Sequence, residues 1–219
     1  MIASQFIIEH LCPLRTTDSV EAALLFMIEQ GVTELPIVEQ KQLYNYARLS
    51  QLGTLPKTQK LYESIPKNPF PPAAKTNNHV YEILPVLAAN DLSLLAVIDE
   101  KGQFLGIIEQ KSINKHIAES FTYRGMGAIL VLLMHDRDFA PSTLARWIEE
   151  NGAKILGIMI NHTSDGQLRI NIKLNSIQVK AILATLHRQK IVVEHVFLAE
   201  DHDENDKKAF DIAFKFFDI

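Results

Sequence analysis

Residues 33–38 read TELPIV, and sixty residues later 93–98 read SLLAVI. Each run is short and nearly continuous in apolar residues, the pattern of a strand buried on both faces. The residues before them repeat at the same distance. Val20, Ala23, Leu24, Met27 and Ile28 follow the spacing of one helix face, and Val80, Ile83, Leu84, Leu87 and Ala88 restate it. A further apolar strand follows each run, QLYNYA (42–47) and QFLGII (103–108), with DEKG (99–102) as the turn of the second hairpin. Each copy therefore reads helix, strand, turn, strand, helix. Thr17, Asp18 and Ser19 offer caps for the first helix, and Asn77 or Asn78 for the second. Pro85 predicts a kink in that second helix. Two units this small cannot each bury a full core, so they are expected to pack together.

Between the copies lies TLPKTQKLYESIPKNPFPPAAK (54–75), which holds five of the nine prolines. That composition predicts an extended connector with little regular structure. The bulk numbers narrow the function. With 219 residues, 47% hydrophobic and 22% charged, the chain is ordinary globular material for one large or two small domains. A net charge of −4 gives no footing for non-specific nucleic-acid binding or a basic membrane anchor. One cysteine, Cys12, excludes an intramolecular disulfide and any CxxC motif, and its place before Pro13 reads as a small buried residue. The start MIASQFIIEH has no basic n-region. The longest apolar run, MGAILVLLM (126–134), falls short of the roughly 20 residues a membrane span needs. A cytoplasmic protein without a membrane partner is expected.

The stretch GVTELPIV (31–38) resembles the G-x-x-x-L-P-V-V core of a CBS domain, and DEKGQFLGIIEQKSI (99–113) is similar to that family's closing hairpin and helix. The resemblance covers about residues 1–118. It divides the chain into a first CBS domain (1–55), a Pro-rich connector (56–75) and a second CBS domain (76–120), together a Bateman module. Such modules commonly bind adenosine-containing ligands in clefts between the copies. The family's closing helix favours Thr or Ser, then Asp three residues later. Here those places hold Arg48 and Gln51 in the first copy and Glu109 and Ser112 in the second, so the ribose-holding pair is missing twice. Glu109 would repel a phosphate. Arg48 reads as an exposed surface arginine or as the one departure that suits phosphate.

From residue 125 the pattern changes. GMGAILVLLMHD (125–136) suits a central strand, and FAPSTLARWIEENG (139–152) a helix with Pro141 near its start, Leu144, Trp147 and Ile148 on its apolar face, and Gly152 past its end. KILGIMI (154–160) and the alternating LRINIKLN (168–175) are strands joined by the turn TSDG (163–166). SIQVKAILATLHRQK (176–190) is a helix, and IVVEHVFL (191–198) closes as a strand. The order is βαββαβ, the ferredoxin-like arrangement. Its central strands, ILVLL and LRINIKL, carry no stacking aromatics for RNA, and the eight histidines form no HxxxH or HExxH pair. The segment 125–200 resembles an ACT domain, a family that often binds amino acids at its first strand–helix loop. Asp136 and the segment Phe139, Ala140, Pro141, Ser142 and Thr143 occupy that loop, with Ser142 where glycine is usual. The tail (201–219) turns from acidic to aromatic, and Phe210, Phe214 and Phe217 are expected to dock on the protein or a partner subunit.

The expected fold class is thus α/β (α+β): a tandem CBS-domain pair plus a ferredoxin-like βαββαβ ACT-type domain. That domain order resembles stand-alone acetoin-utilisation-type CBS proteins. Among the motifs there is no nucleophile–base pair, metal cluster or phosphate loop, so neither catalysis nor a cofactor or metal is expected. The expected function is a non-catalytic regulator. It would sense an amino-acid or adenosine-type effector, act on a regulated protein the sequence does not name, and form a homodimer. The competing reading is an adaptor or dimerisation module with degenerate ligand sites, acting by protein–protein contact.

Overall fold

Ser19 opens the first long helix by accepting a hydrogen bond from the Ala22 amide at 3.2 Å, which satisfies one of the amides a helix start leaves unpaired. This helix, α1 (Val20–Gln30), ends at Gly31, whose φ of 67° lets the chain turn left-handed. The equivalent helix, α4 (Val80–Ala89), is capped by His79, and Glu82 accepts from the His79 amide at 2.7 Å. Asn78 instead accepts from the Lys75 amide, so the expected Asn77 or Asn78 cap is corrected to His79. The chain stays helical through Pro85, which lies exposed. The buried stripes are narrower than the periodicity predicts. Val20, Ala23 and Met27 are buried, whereas Ile28 is 62% exposed.

The computed structural model describes residues 1–198. The tail at 201–219, and with it the expected docking of its phenylalanines, lies outside the described residues. Residues 1–118 form one compact unit, and a second begins at Glu119. The first unit holds two sheets. In one, β2 (Leu14–Arg15) runs parallel to β3 (Glu34–Glu39), which forms a hairpin with β4 (Gln42–Arg48). In the other, β5 (Ala73–Lys75) runs parallel to β6 (Leu94–Ile98), which forms a hairpin with β7 (Phe104–Glu109). The repeat read in the sequence is therefore a repeat of topology. One strand breaks it: β1 (Ile7–Ile8) leaves the first copy and pairs antiparallel with β7, Ile7 opposite Ile108. Ile7 leans on Gly106, where an added Cβ would lie 2.5 Å from its Cγ2. Pro36 is tolerated in the middle strand because β2 pairs only with Ile37 and Val38, so no partner there needs the missing N–H.

Short helices α2 (Leu49–Leu52) and α3 (Leu61–Ser64) follow β4, and α5 (Gln110–Ala118) follows β7. The stretch 54–75 is more ordered than its prolines predict, because Leu61 and Ile65 are buried in the first copy's core and its last three residues form β5. Tyr46, from the first copy, is buried in the second copy's core, while Leu94 and Ile107 are buried in the first. Cys12 is exposed, not buried as expected, because its segment runs between β1 and β2 at the surface.

The β3–β4 hairpin turns on Gln40 and Lys41, with φ of 47° and 66°. Two left-handed residues in a two-residue turn favour Asn-Gly, and a side chain there is strained. Lys41→Gly is expected to stabilise the protein by about 0.5–1 kcal/mol, the relieved strain exceeding glycine's entropy in the unfolded chain. Equilibrium urea unfolding reads the shift in midpoint directly.

In the second unit, α6 (Phe121–Arg124) precedes β8 (Ile129–Met134), α7 (Pro141–Glu149), β9 (Ile155–His162), β10 (Leu168–Leu174), α8 (Lys180–Arg188) and β11 (Val192–Phe197). The fully antiparallel sheet has the order β11-β8-β10-β9. This is the ferredoxin-like arrangement, so the mixed α/β class expected from the sequence is the one found. Both long helices pack on one face, against Leu130, Leu132, Ile170 and Ile172, and Trp147 sits partly buried on that core. The short helix α6 was not anticipated. Its Thr122 hydroxyl donates to the Leu156 carbonyl at 2.8 Å.

Candidate functional site

The starts of β3 and β6 meet inside the first unit, and one carboxylate joins them. Glu34 is buried. One of its oxygens accepts from the Ser93 amide, from the Ser93 hydroxyl at 2.6 Å and from the Leu94 amide at 3.1 Å. The other accepts from the Thr33 hydroxyl at 2.5 Å. Burial alone would push this carboxyl up, but the bonds from Ser93, Thr33 and the Ser93 and Leu94 amides outweigh it and hold the group below its ordinary value of 4.5. The sequence signal was present in a form easily passed over: a charged residue inside an apolar strand, standing where the other copy has Leu94.

Beside this clamp opens a cleft of about 590 Å³, lined by Thr33, Glu34, Arg48 and Ser50 from one copy and by Asp91, Ser93 and Gln110 from the other. A second cleft of about 280 Å³ is lined by Asn45, Tyr46, Arg48, Gln51, Asn68 and Asn90, among others. Arg48 borders both. Its Nη2 donates to the Asn90 carbonyl at 2.6 Å and its Nη1 to the Asp91 carbonyl at 3.2 Å. These carbonyls lie just past the end of α4, where carbonyls are left unpaired and the helix dipole is negative. The guanidinium is thus already engaged in closing the other copy's helix. The Asp91 carboxylate, 3.7 Å away and fully exposed, adds little.

Tyr46 shapes the smaller cleft. Its hydroxyl donates to the Pro72 carbonyl at 2.9 Å and accepts from the Ala96 amide at 2.8 Å. Burial pushes this phenol far above its ordinary value, so it stays a neutral donor at any physiological pH. Asn45, at the place that Gly106 holds in the second copy, donates to the Pro66 carbonyl at 2.8 Å. The sequence reading missed Tyr46, Thr33, Glu34 and Ser93.

Of the four expected cleft residues, Arg48 and Gln51 come together at the smaller cleft. Glu109 and Ser112 line neither. The Ser112 hydroxyl points to the Glu109 carboxylate at 3.4 Å, and His10 approaches the same carboxylate at 3.9 Å. In the second unit, Asp136 opens a single 3-10 turn after β8. Ala140 caps α7 through its backbone only, and Pro141 takes the first helical position. Asp136, Pro141 and Ser142 are exposed, while Phe139, Ala140 and Thr143 are half-buried. Among the described residues no group of three or more His, Cys, Asp or Glu could hold a metal ion, and no helix is long and apolar enough to cross a membrane.

No protein-family model and no curated protein matches the chain. Solved structures do. A CBS domain pair/ACT domain protein from Thermotoga maritima is similar over 54% of this chain and 98% of its own, at 12% identity and a TM-score of 0.49. The cytosolic domain of the Mg2+ channel MgtE in complex with ATP is similar over 52% of this chain and 48% of its own, at 20% identity and a TM-score of 0.46. CBSX2 in complex with AMP is similar over 54% and 96%, at 18% identity and a TM-score of 0.46.

Proposed function

We propose that the protein is a non-catalytic regulator in which residues 1–118 act as a CBS-domain pair holding a small polar ligand between the two copies. The observation that carries this reading is the cleft of about 590 Å³, lined from both copies by hydroxyl-, amide- and carboxylate-bearing residues together with Leu49 and Leu92. A ligand there would touch both halves of the repeat and so report on their packing. The ligand class follows from charge. Glu34 and Asp91 are among the residues that line the cleft, and the cation among them, Arg48, is committed to helix-end carbonyls. A neutral or amine-bearing polar molecule suits these walls better than a phosphate does. The second unit is proposed as ACT-like, with Asp136 and residues 139–143 as the place for an amino acid, and the whole as a homodimer. The engagement of Arg48, and the mutual bond of Ser112 and Glu109, favour a second reading, an adaptor without ligand.

Calorimetry with AMP and ATP is expected to give dissociation constants weaker than about 0.1 mM. A thermal-shift screen of nucleosides, polyamines and amino acids separates the two readings. A ligand at about a hundred times its dissociation constant adds roughly 2.7 kcal/mol of stability. A panel with no shift at all leaves the adaptor reading standing, and micromolar AMP binding overturns the charge argument.

A further inference from the structure

We propose that β9 pairs edge to edge with the β9 of a second copy of this chain, antiparallel, across a two-fold axis at Ile160. This gives a surface to the homodimer put forward above, and rests on that reading. The sheet ends at β9, and among the described residues no strand lies beyond it. The ladder shows which backbone groups of β9 are open. The Thr163 amide donates to the Gln167 carbonyl at 2.9 Å, and the register runs on from His162 opposite Leu168 to Gly157 opposite Lys173. Hydrogen-bonded pairs alternate along an antiparallel ladder. Thr163, Asn161, Met159 and Gly157 therefore bond to β10, while His162, Ile160 and Ile158 turn their N–H and C=O outward. Such a row is a template for another strand.

The two edges of the sheet differ. The β11 edge carries Glu194, tied to Arg169 at 2.7 Å, and a bulge between Val193 and His195. Charges and bulges are the usual guards against edge pairing. The open part of β9 has neither. Residues 155–164, ILGIMINHTS, hold no Asp, Glu, Lys, Arg or Pro. The strand's bulge lies at its start, against Lys173 and Leu174. Ile158, Met159 and Ile160 are 37%, 54% and 45% exposed. Ile158 and Ile160 lie opposite the buried Ile172 and Ile170, so the apolar surface of the helix-bearing face runs out to the rim of the sheet.

The pattern of the strand selects its occupant. At one end α6 closes the edge, because Thr122 donates to the Leu156 carbonyl at 2.8 Å and its methyl group lies against Gly157. The open segment is thus 158–162, and Ile160 is its centre. A two-fold axis there sets Ile160 on its own counterpart and matches the outward groups of Ile158 with those of His162 in the other copy. The other copy's β9 ends at His162, opposite Ile158, and so stops short of α6. A strand without charge also meets no like charge on itself.

The test places a thiol on the axis. In the full chain with Cys12→Ser, Ile160→Cys sets two thiols on neighbouring strands with Cα atoms about 5.5 Å apart, a separation that a disulfide bridges. Val192→Cys, on the guarded edge, is the control, and circular dichroism confirms the fold of each. Under mild oxidation at micromolar protein, linked dimer is expected to form about a hundredfold faster from Ile160→Cys than from Val192→Cys, since thiols held side by side meet at a millimolar effective concentration. In the unaltered protein, the amides of Ile158, Ile160 and His162 are expected to exchange with deuterium more slowly as protein concentration rises. Equal linking rates overturn the proposal, as does exchange at these amides that stays fast at every concentration. Protection that does not change with concentration also overturns it, and assigns the edge to a segment of the same chain. Light scattering keeps the two readings apart. A dimer without the link leaves the homodimer standing and removes β9 from it, whereas a monomer removes both.

Discussion

Glu34→Ala is expected to lower the stability of the first unit by about 3 kcal/mol, since it strips a charge-assisted acceptor from the buried Leu94 amide and from the Ser93 amide and hydroxyl at once. The Leu94 amide opens β6 and the Ser93 amide just precedes it, so the carboxylate fixes where this strand starts. Glu34→Gln keeps an acceptor for them and loses only the charge, so a loss nearer 1 kcal/mol is expected. The same group sets an acid limit. Its pKa is lower folded than unfolded, so its contribution is complete above the unfolded value, near 4.5, and disappears as pH falls through the lower folded one. Urea unfolding of the wild type and Glu34→Gln, compared at pH 7 and across the range below 4.5, tests this. The difference between them should shrink on acidification, and a difference that is flat or grows would refute the assignment.

Gly127→Ala should be more damaging, at about 4 kcal/mol or beyond, enough to unfold the second unit on its own. Gly127 has a φ of 149°, which a side chain rarely adopts. A Cβ there would overlap the Leu174 carbonyl oxygen and lie 2.9 Å from the Ser176 nitrogen. The clash has no soft escape. Ala128 donates to the Ser176 carbonyl and Leu174 donates to the Ala128 carbonyl, so the backbones on both sides are pinned. Thermal unfolding followed by Trp147 fluorescence reports on this unit, since the chain has one tryptophan. Gly152→Ala is the comparison: an added Cβ there meets no atom within 4 Å, and only its φ of 82° is at stake. A Gly127→Ala protein as stable as Gly152→Ala would show that the close approach is absent.

The parts of the fold that recur were readable, because a buried helix stripe and a buried strand each leave a period in the residues. The parts set by a single distant partner were not. Nothing near Ile7 and Ile8 announces that they pair with Ile107 and Ile108. Leu61 and Ile65 look like isolated apolar residues among prolines until the core they fill is visible. At the candidate site the sequence marked Arg48 by chemical type, and a guanidinium does stand there. What it binds depends on where α4 ends, which is a matter of packing between copies. Glu34 was hidden for the same reason: a carboxylate in an apolar strand makes sense only once its donors from the other copy are in place.

The pairing of β1 with β7 also bears on how the chain is made. During synthesis β1 must wait for some hundred further residues before its partner exists. Until then this segment has no strand to pair with. Late, long-range closure of this kind slows folding, because the loop must be closed before any contact rewards it. It also reverses the ordinary logic of trimming. Removing residues 1–8 would leave the β2-β3-β4 sheet whole and strip β7 of its edge partner, so the change acts on the second copy although it is made beside the first.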